Sequence, residues 1–192
     1  AMEDHRDSPR VSIHSPSTRI MSSKPTVGND TSVQPAADCS ASDRELSLTR
    51  IIAASREKLF RAWTEPELLK QWFTPRPWTT PIVEVDVRSG GANLIVMRGP
   101  EGNEFPNRGV YLEVVPNERL VFTDAYTKAW EPSAKPFMTV VLTFEDAGPG
   151  KTRYTARVQH WTSADREAHE KMGFHAGWGK ATDQLEALVG KL

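Results

Sequence analysis

Residues 152–192 decide the fold, and they read TRYTARVQHWTSADREAHEKMGFHAGWGKATDQLEALVGKL. In the first part, Tyr154, Ala156 and Val158 alternate with polar side chains, which is the period of a strand that buries one face. After Thr162, apolar residues recur at steps of four and three, which predicts one long amphipathic helix. We expect this helix to cover a sheet and to bury Trp178 against it. The predicted apolar stripe consists of Phe174, Trp178, Ala181, Leu185, Leu188 and Leu192.

Strand patterns fill the middle of the chain. Val83, Val85 and Val87 alternate with charged residues, and turns rich in Gly and Pro separate this segment from those that follow. None of the connections is long enough for a helix, so the sequence predicts an antiparallel meander and excludes a parallel sheet. The further strand-like segments are residues 92–98, 110–114, 120–123 and 139–144.

Two short helices are predicted before this meander. Residues 45–52 alternate as a first strand, and Ser55 can cap the helix that follows. A second helix is predicted to begin near Pro66, because Thr64 and Glu67 have the spacing of a capping box. The apolar residues on the buried faces of the two helices are Leu59, Phe60 and Trp63, then Leu68, Leu69, Trp72 and Phe73.

These elements together predict an α+β fold. Its curved antiparallel sheet has about six to seven strands and wraps around the long C-terminal helix, with the two short helices after the first strand. We place this domain at residues 43–192. Residues 1–42 are rich in Ser, Thr and Pro and show neither helical nor strand periodicity, so we expect a disordered tail.

Composition argues against several classes of protein. Lys and Arg number 24 against 25 Asp and Glu, so the chain lacks the basic surplus of a nucleic-acid-binding protein. No apolar run approaches the roughly 18 residues of a membrane span, and no signal-peptide pattern is found. The single cysteine, Cys39, allows no intrachain disulfide and fits a reducing compartment. We therefore expect a cytoplasmic protein without a nucleic-acid or membrane partner.

Four stretches, in this order, resemble the START-like, helix-grip superfamily, also called SRPBCC. Within it they are most similar to the family named for homology to the activator of the ATPase of the ninety-kilodalton heat-shock chaperone. This resemblance implies a helix-grip fold that encloses a cavity for an apolar ligand, and it makes a chaperone a possible partner in a stress response. The stretches are FRAWTEPE at 60–67 with QWF at 71–73, EVDVRSGG at 84–91, MRGPEG at 97–102 with GVY at 109–111, and GFHAGW at 173–178.

The favoured hypothesis for function is a carrier or sensor that binds a small, mainly hydrophobic molecule between the sheet and the C-terminal helix. Aromatic side chains can line such a cavity, although each of them could equally fill the core. Gly173, Gly177 and Gly179 weaken the helix and can leave room for a ligand beside it. The predicted ligand-binding residues are Trp72, Phe73, Trp78, Tyr111, Phe122, Tyr126, Met138, Tyr154, His175 and Trp178.

Two other functions stay open at this point. One is an enzyme of the cyclase or hydrolase type that uses the same cavity, with His175, Tyr111 or Tyr126 supplying protons. The other is a chaperone co-regulator that acts through protein contact. For any of these functions we expect a monomer or a weak dimer. No cofactor is expected, and no metal either, because His160, His169 and His175 lack the spacing and the acidic or Cys partners of a zinc site.

Overall fold

The computed structural model describes residues 41–192, with side chains from Asp43 onward. The disordered tail expected at residues 1–42 lies outside the described residues as far as residue 40, and so does Cys39. After a single 3-10 turn, Ala41–Arg44, the helices are α1 Arg56–Thr64, α2 Pro66–Trp72, α3 Ser163–Lys171 and α4 Phe174–Val189. The strands are β1 Glu45–Ile52, β2 Thr79–Val85, β3 Ala92–Arg98, β4 Glu104–Val115, β5 Arg119–Thr123, β6 Tyr126–Lys128, β7 Glu131–Pro132, β8 Met138–Asp146 and β9 Thr152–His160.

Seven of the strands form one antiparallel sheet in the order β1-β9-β8-β5-β4-β3-β2. This arrangement, with two short helices after β1 and a helix at the C-terminus, confirms the predicted α+β, helix-grip fold. Strand β4 begins at Glu104, earlier than the alternation around Val110 predicts, because Pro106 and Gly109 interrupt the pattern. Strands β6 and β7 pair as a separate hairpin, which the patterns did not predict.

Cross-strand register places the hydrophobic core on one face of the sheet, the inner face. Leu48, Ala156 and Leu142 are paired neighbours on β1, β9 and β8, and Leu120 and Val114 continue this row across β5 and β4. Ala156, Leu142 and Leu120 have no exposed surface. Burying such a row against helices is the main favourable term in the stability of the domain.

The opposite face, the outer face, carries the charged residues of the strands. Glu84, Leu94 and Arg108 are paired neighbours on β2, β3 and β4, one position away from the inner-face residues Val85 and Asn93. Because side chains alternate between the faces of a strand, the charges of this half of the sheet point away from the core.

Helices α1 and α2 cover one end of the inner face. Ser55 caps α1 as predicted, since its hydroxyl accepts from the backbone N–H of Lys58. The predicted capping box at Thr64 is wrong: Thr64 ends α1, and its hydroxyl donates to the carbonyl of Phe60 at 2.8 Å. Glu65 is the N-cap of α2 and Pro66 its first residue, a position where the missing N–H of proline costs nothing.

The predicted single C-terminal helix is interrupted. Helix α3 ends at Lys171, and Gly173 adopts φ 97° as the N-cap of α4. The left-handed region is open to glycine without strain, so Gly173 allows a sharp change of direction. Two members of the predicted apolar stripe are less buried than expected. Trp178 is half-buried instead of fully buried, and Leu192 lies beyond the end of α4 and is 41% exposed.

Side-chain bonds fix α4 from both sides. On one side the guanidinium of Arg50, on the inner face of β1, binds the carboxylate of Asp183. On the other side the amide of Gln184 donates to the carbonyls of Trp72 and Thr74, at the end of α2. Helix α4 is therefore held between β1 and the link that leads from α2 to β2.

Candidate functional site

Part of the inner face is covered only incompletely by the helices. The side chains there are apolar and half-buried, and they pack against the edge of the fully buried core. They come from α4, the end of α2, β2 and the loop after it, β5 and β8. We call this region the inner cleft and define it by Phe73, Val85, Val87, Phe122, Met138 and Trp178.

The cleft opens beside Gly177. This residue lies seven positions before Gln184, hence on nearly the same side of α4, and the bonds of Gln184 show that this side faces α2. A Cβ atom at Gly177 would meet no other atom within 4 Å. The start of α4 therefore leaves open space beside Gly177, whereas Gln184, two turns later, contacts the end of α2 and the link after it.

Trp63 of α1 is the centre of an aromatic cluster at the floor of the cleft. Its ring centroid lies 4.7 Å from that of Trp72, 6.0 Å from those of Phe73 and Phe122, and 6.5 Å from that of Tyr154. Trp63 is only 3% exposed, so the floor is rigidly packed, whereas Phe73 and Phe122 are half-buried. The rings give the cleft a firm apolar base.

Polar groups at this site are hydrogen-bond donors without acceptors. The amide nitrogen of Asn93 is buried, and no partner for it exists in the described part of the chain. The indole N–H of Trp63 interacts with the hydroxyl of Tyr154 but falls short of hydrogen-bond geometry. Burial raises the pKa of both Tyr111 and Tyr154 above the ordinary value of a phenol. Both phenols are therefore protonated throughout the neutral range.

Seven of the ten predicted ligand-binding residues lie in or directly beneath the inner cleft. Half-buried members line it, and fully buried ones belong to its floor. Their role as ligand contacts stays a prediction, because side chains that touch a ligand and side chains that only fill the core share this position. The seven are Trp72, Phe73, Tyr111, Phe122, Met138, Tyr154 and Trp178.

The other three predicted residues lie apart from this group. Trp78 precedes β2, is 36% exposed and stacks near Phe105. Tyr126 belongs to the β6–β7 hairpin, where its ring contacts Trp130 at 5.8 Å. His175 is exposed on α4, and its Nε2 lies 3.9 Å from a carboxylate oxygen of Glu170. Within the described residues, no ring contact joins His175 or Tyr126 to Tyr111, whose aromatic partner is Phe122.

This geometry agrees with what comparison with known proteins finds. A family model described as "Activator of Hsp90 ATPase homolog 1-like protein" matches residues 53–190. The chain belongs to this family. A search of curated proteins finds no relative that matches the chain.

Solved structures of similar proteins extend over the whole domain. A protein from Nitrosomonas europaea is 44% identical, with a TM-score of 0.75, and the match covers 78% of this chain and 96% of that one. A protein from Rhodobacter sphaeroides is 25% identical with a TM-score of 0.67, covering 78% of this chain and 94% of that one. A protein from Staphylococcus epidermidis is 26% identical with a TM-score of 0.64, covering 77% and 90%.

Two histidines form a hydrogen-bonded pair beside the cleft, where His160 is the register partner of Met138. Nδ1 of His160 lies 3.0 Å from the carbonyl oxygen of Arg44, which can only accept, so Nδ1 carries a proton. In the neutral ring, Nε2 of His160 is then an acceptor, and Nδ1 of His169, 2.9 Å away, donates to it. Burial first, and His160 second, lower the pKa of His169 to about 4. The ring of His169 is therefore neutral at pH 7.

Two further hollows are found in the described part of the chain. One, of about 670 Å³, is bordered by outer-face residues such as Glu84 and Arg108 and by Lys128 of the hairpin, and it also reaches Val85 and Asn93 at the edge of the inner cleft. The other, of about 230 Å³, is bordered by Arg44, His160 and other residues. Both carry charged groups at their borders, in contrast to the apolar inner cleft.

Sequence reasoning missed three features of the site. Trp63 was assigned only to the buried face of α1, although its position one turn from Leu59 and next to Phe60 marks it as central to the core. Asn93 gave a signal, since it is the single amide among the apolar residues of β3, yet it was overlooked. Val85 and Val87 were assigned to a strand face without regard to the cleft.

Within residues 43–192, no group of three or more His, Cys, Asp or Glu side chains is placed to hold a metal ion. No helix in the same part of the chain is both long and apolar enough to cross a membrane.

Proposed function

We propose that this protein reversibly binds a small, mainly apolar molecule in the inner cleft. The observation that carries the proposal is the open space at Gly177, on the side of α4 that faces α2, together with the half-buried apolar side chains of the cleft. Exposed apolar surface in a concave site is costly in water and is stabilised when a ligand covers it. Membership of the family fits such a role but does not specify the ligand.

The chemistry of the site supports binding more than catalysis. Tyr111 and Tyr154 stay protonated at neutral pH, so they can donate hydrogen bonds but cannot act as bases. His175 is exposed and faces Glu170, away from the two phenols. A proton-transfer mechanism would need an acid and a base at one reacting atom, and none of the six side chains that define the cleft is ionisable.

A substitution at Gly177 tests the proposal directly. The probe is N-phenyl-1-naphthylamine, a neutral molecule whose fluorescence rises in apolar surroundings. We expect saturable binding to one site, which Gly177→Leu weakens roughly tenfold or more because the side chain occupies the open space. Gly177→Ala is the matched control: it adds one methyl group, supports the helix and should leave binding nearly unchanged.

Either of two results would contradict the proposal. One is binding that does not saturate, and the other is saturable binding that Gly177→Leu leaves intact. A protein-contact role, like the ATPase activation named in the family's description, would then be the better hypothesis. Native mass spectrometry of freshly purified protein, before any probe is added, would identify a ligand that co-purifies.

A further inference from the structure

The polar groups of the inner cleft also indicate the chemical class of ligand, on the assumption that the proposed function is correct. Charged side chains are absent from the inner-face positions of β2, β3, β4 and β5, because alternation sends Glu84 and Arg108 to the outer face. Arg50 does face inward on β1, but its guanidinium is bound to Asp183 and lies 4.0 Å from Glu186. The six side chains that define the cleft thus include no cation to pair with an anionic ligand, and Arg108 lies on the outer-face row of the sheet.

Two polar side chains that face this side can donate hydrogen bonds. Asn93 is paired in register with Gly109, which lies two residues before Tyr111 on β4, so Asn93 and Tyr111 share the inner face. The ring of Tyr111 lies 6.2 Å from that of Phe122, a cleft residue. Within the described residues, the amide nitrogen of Asn93 is buried without a hydrogen-bond partner. Burial raises the pKa of Tyr111, so its hydroxyl keeps the proton that it can donate.

A buried donor without an acceptor lowers stability by the cost of removing it from water. A neutral ligand oxygen that accepts the hydrogen bond would restore the lost stability. A carboxylate would also accept, but it would give up its own hydration without pairing with a cation. We propose that the inner cleft selects neutral apolar molecules that carry a carbonyl-type oxygen, and that the hydroxyl of Tyr111 donates to this oxygen. Fatty-acid-like anions are disfavoured by the same reasoning.

Three probes of nearly equal size test this inference: 2-acetylnaphthalene, 2-naphthoate and 2-isopropylnaphthalene. They present a neutral carbonyl, a carboxylate and no acceptor. Dissociation constants come from calorimetric titration at pH 7, with amide chemical shifts to locate the site. We expect 2-naphthoate to bind roughly tenfold or more weakly than 2-acetylnaphthalene, because its charge must be desolvated.

Variants separate the hydrogen bond from general packing. Tyr111→Phe should weaken 2-acetylnaphthalene about three- to tenfold, the usual effect of one hydrogen bond, and leave 2-isopropylnaphthalene unchanged. Tyr126→Phe removes the same hydroxyl group from the hairpin, outside the cleft, and should change neither constant. If Tyr111→Phe does not fold, Asn93→Ala gives a second test with the same expected selectivity.

The outcomes distinguish this inference from the proposed function. Suppose that all three probes bind and that Gly177→Leu raises each dissociation constant, but that Tyr111→Phe affects the three constants equally. The cleft then binds ligands, and the inference about their class is wrong. Binding of 2-naphthoate as tight as that of 2-acetylnaphthalene would overturn it as well. If none of the probes perturbs cleft residues, the proposed function itself is wrong.

Discussion

The side-chain amide of Gln184 donates to the carbonyl oxygen of Trp72, 2.8 Å away, across the boundary between α4 and α2. The same amide reaches the carbonyl of Thr74 at 2.9 Å, and its oxygen accepts from the backbone N–H of Arg76 at 3.0 Å. Carbonyls at the end of a helix have no intrahelical partners, and Gln184 supplies them. One side chain of α4 therefore fixes an edge of the inner cleft.

Replacing Gln184 should loosen this edge. We expect Gln184→Ala to lower the free energy of unfolding by about 1–3 kcal/mol, because it leaves three backbone groups without partners. Amide hydrogen exchange should also quicken in residues 72–76. Gln71→Ala is the control, since Gln71 is exposed and bonds only to Glu67 of its own helix. Equal effects of the two substitutions in urea unfolding would contradict the role given to Gln184.

Two tryptophans should differ sharply in what their removal costs. Trp63 is 3% exposed and contacts four other rings, so Trp63→Ala should cost about 3–5 kcal/mol. Trp178 is half-buried beside the cleft and packs on Phe174, so its loss should cost half as much or less. Urea unfolding followed by circular dichroism measures both. A larger cost at Trp178 would mean that α4 packs more deeply than the structure shows.

The fold could be predicted because its signals are local. Strand alternation and a helical stripe depend on neighbours within a few residues, and both kinds of signal were present in residues 152–192. The break between α3 and α4 was missed because the apolar stripe begins only at Phe174, so nothing in the period marks residues 163–171 as a separate helix. Gly173 is present in the sequence, but its positive φ depends on how α4 packs against the rest of the domain, which the sequence pattern does not show.

The site was harder to predict because it depends on the distance between elements. Periodicity assigns Trp178 to the buried side of α4, yet its exposure depends on how far that helix stands from the sheet. Tyr126 lies on the β6–β7 hairpin, which no periodicity marks, so its distance from the cleft could not be predicted from the sequence. A Cβ atom at Gly177 would meet open space, and the use of this space by a ligand stays a prediction.

Two glycines at the start of α4 should respond to the same substitution with opposite signs. Gly173→Ala should destabilise the domain by about 1–2 kcal/mol, because φ 97° is strained for any residue with a Cβ atom. Gly177→Ala should stabilise it by about 0.5–1 kcal/mol, because alanine favours the helix and its Cβ meets no other atom. Thermal unfolding of both variants is the measurement. A stabilising Gly173→Ala would mean that α3 and α4 can join into one helix.

Acid should weaken the domain through His169. The unfolded chain binds a proton at this residue near pH 6.5, whereas the folded state resists protonation until about pH 4. The stability that depends on neutral His169 is thus complete above about pH 7 and is lost as the pH falls from 6.5 towards 4. The pair contacts the carbonyl of Arg44 and the rings of Phe137 and Phe174.

His169→Asn isolates this contribution, because its amide can still donate to Nε2 of His160 but cannot be protonated in this range. We expect the difference in unfolding free energy between the wild type and His169→Asn to favour the wild type at pH 7.5 and to shrink or reverse by pH 4.5. Carboxylate contributions are common to both proteins and cancel in the difference. His175→Asn removes an exposed histidine and should leave the pH dependence as it is. A difference between the wild type and His169→Asn that stays constant with pH would show that the buried pair does not set the acid sensitivity.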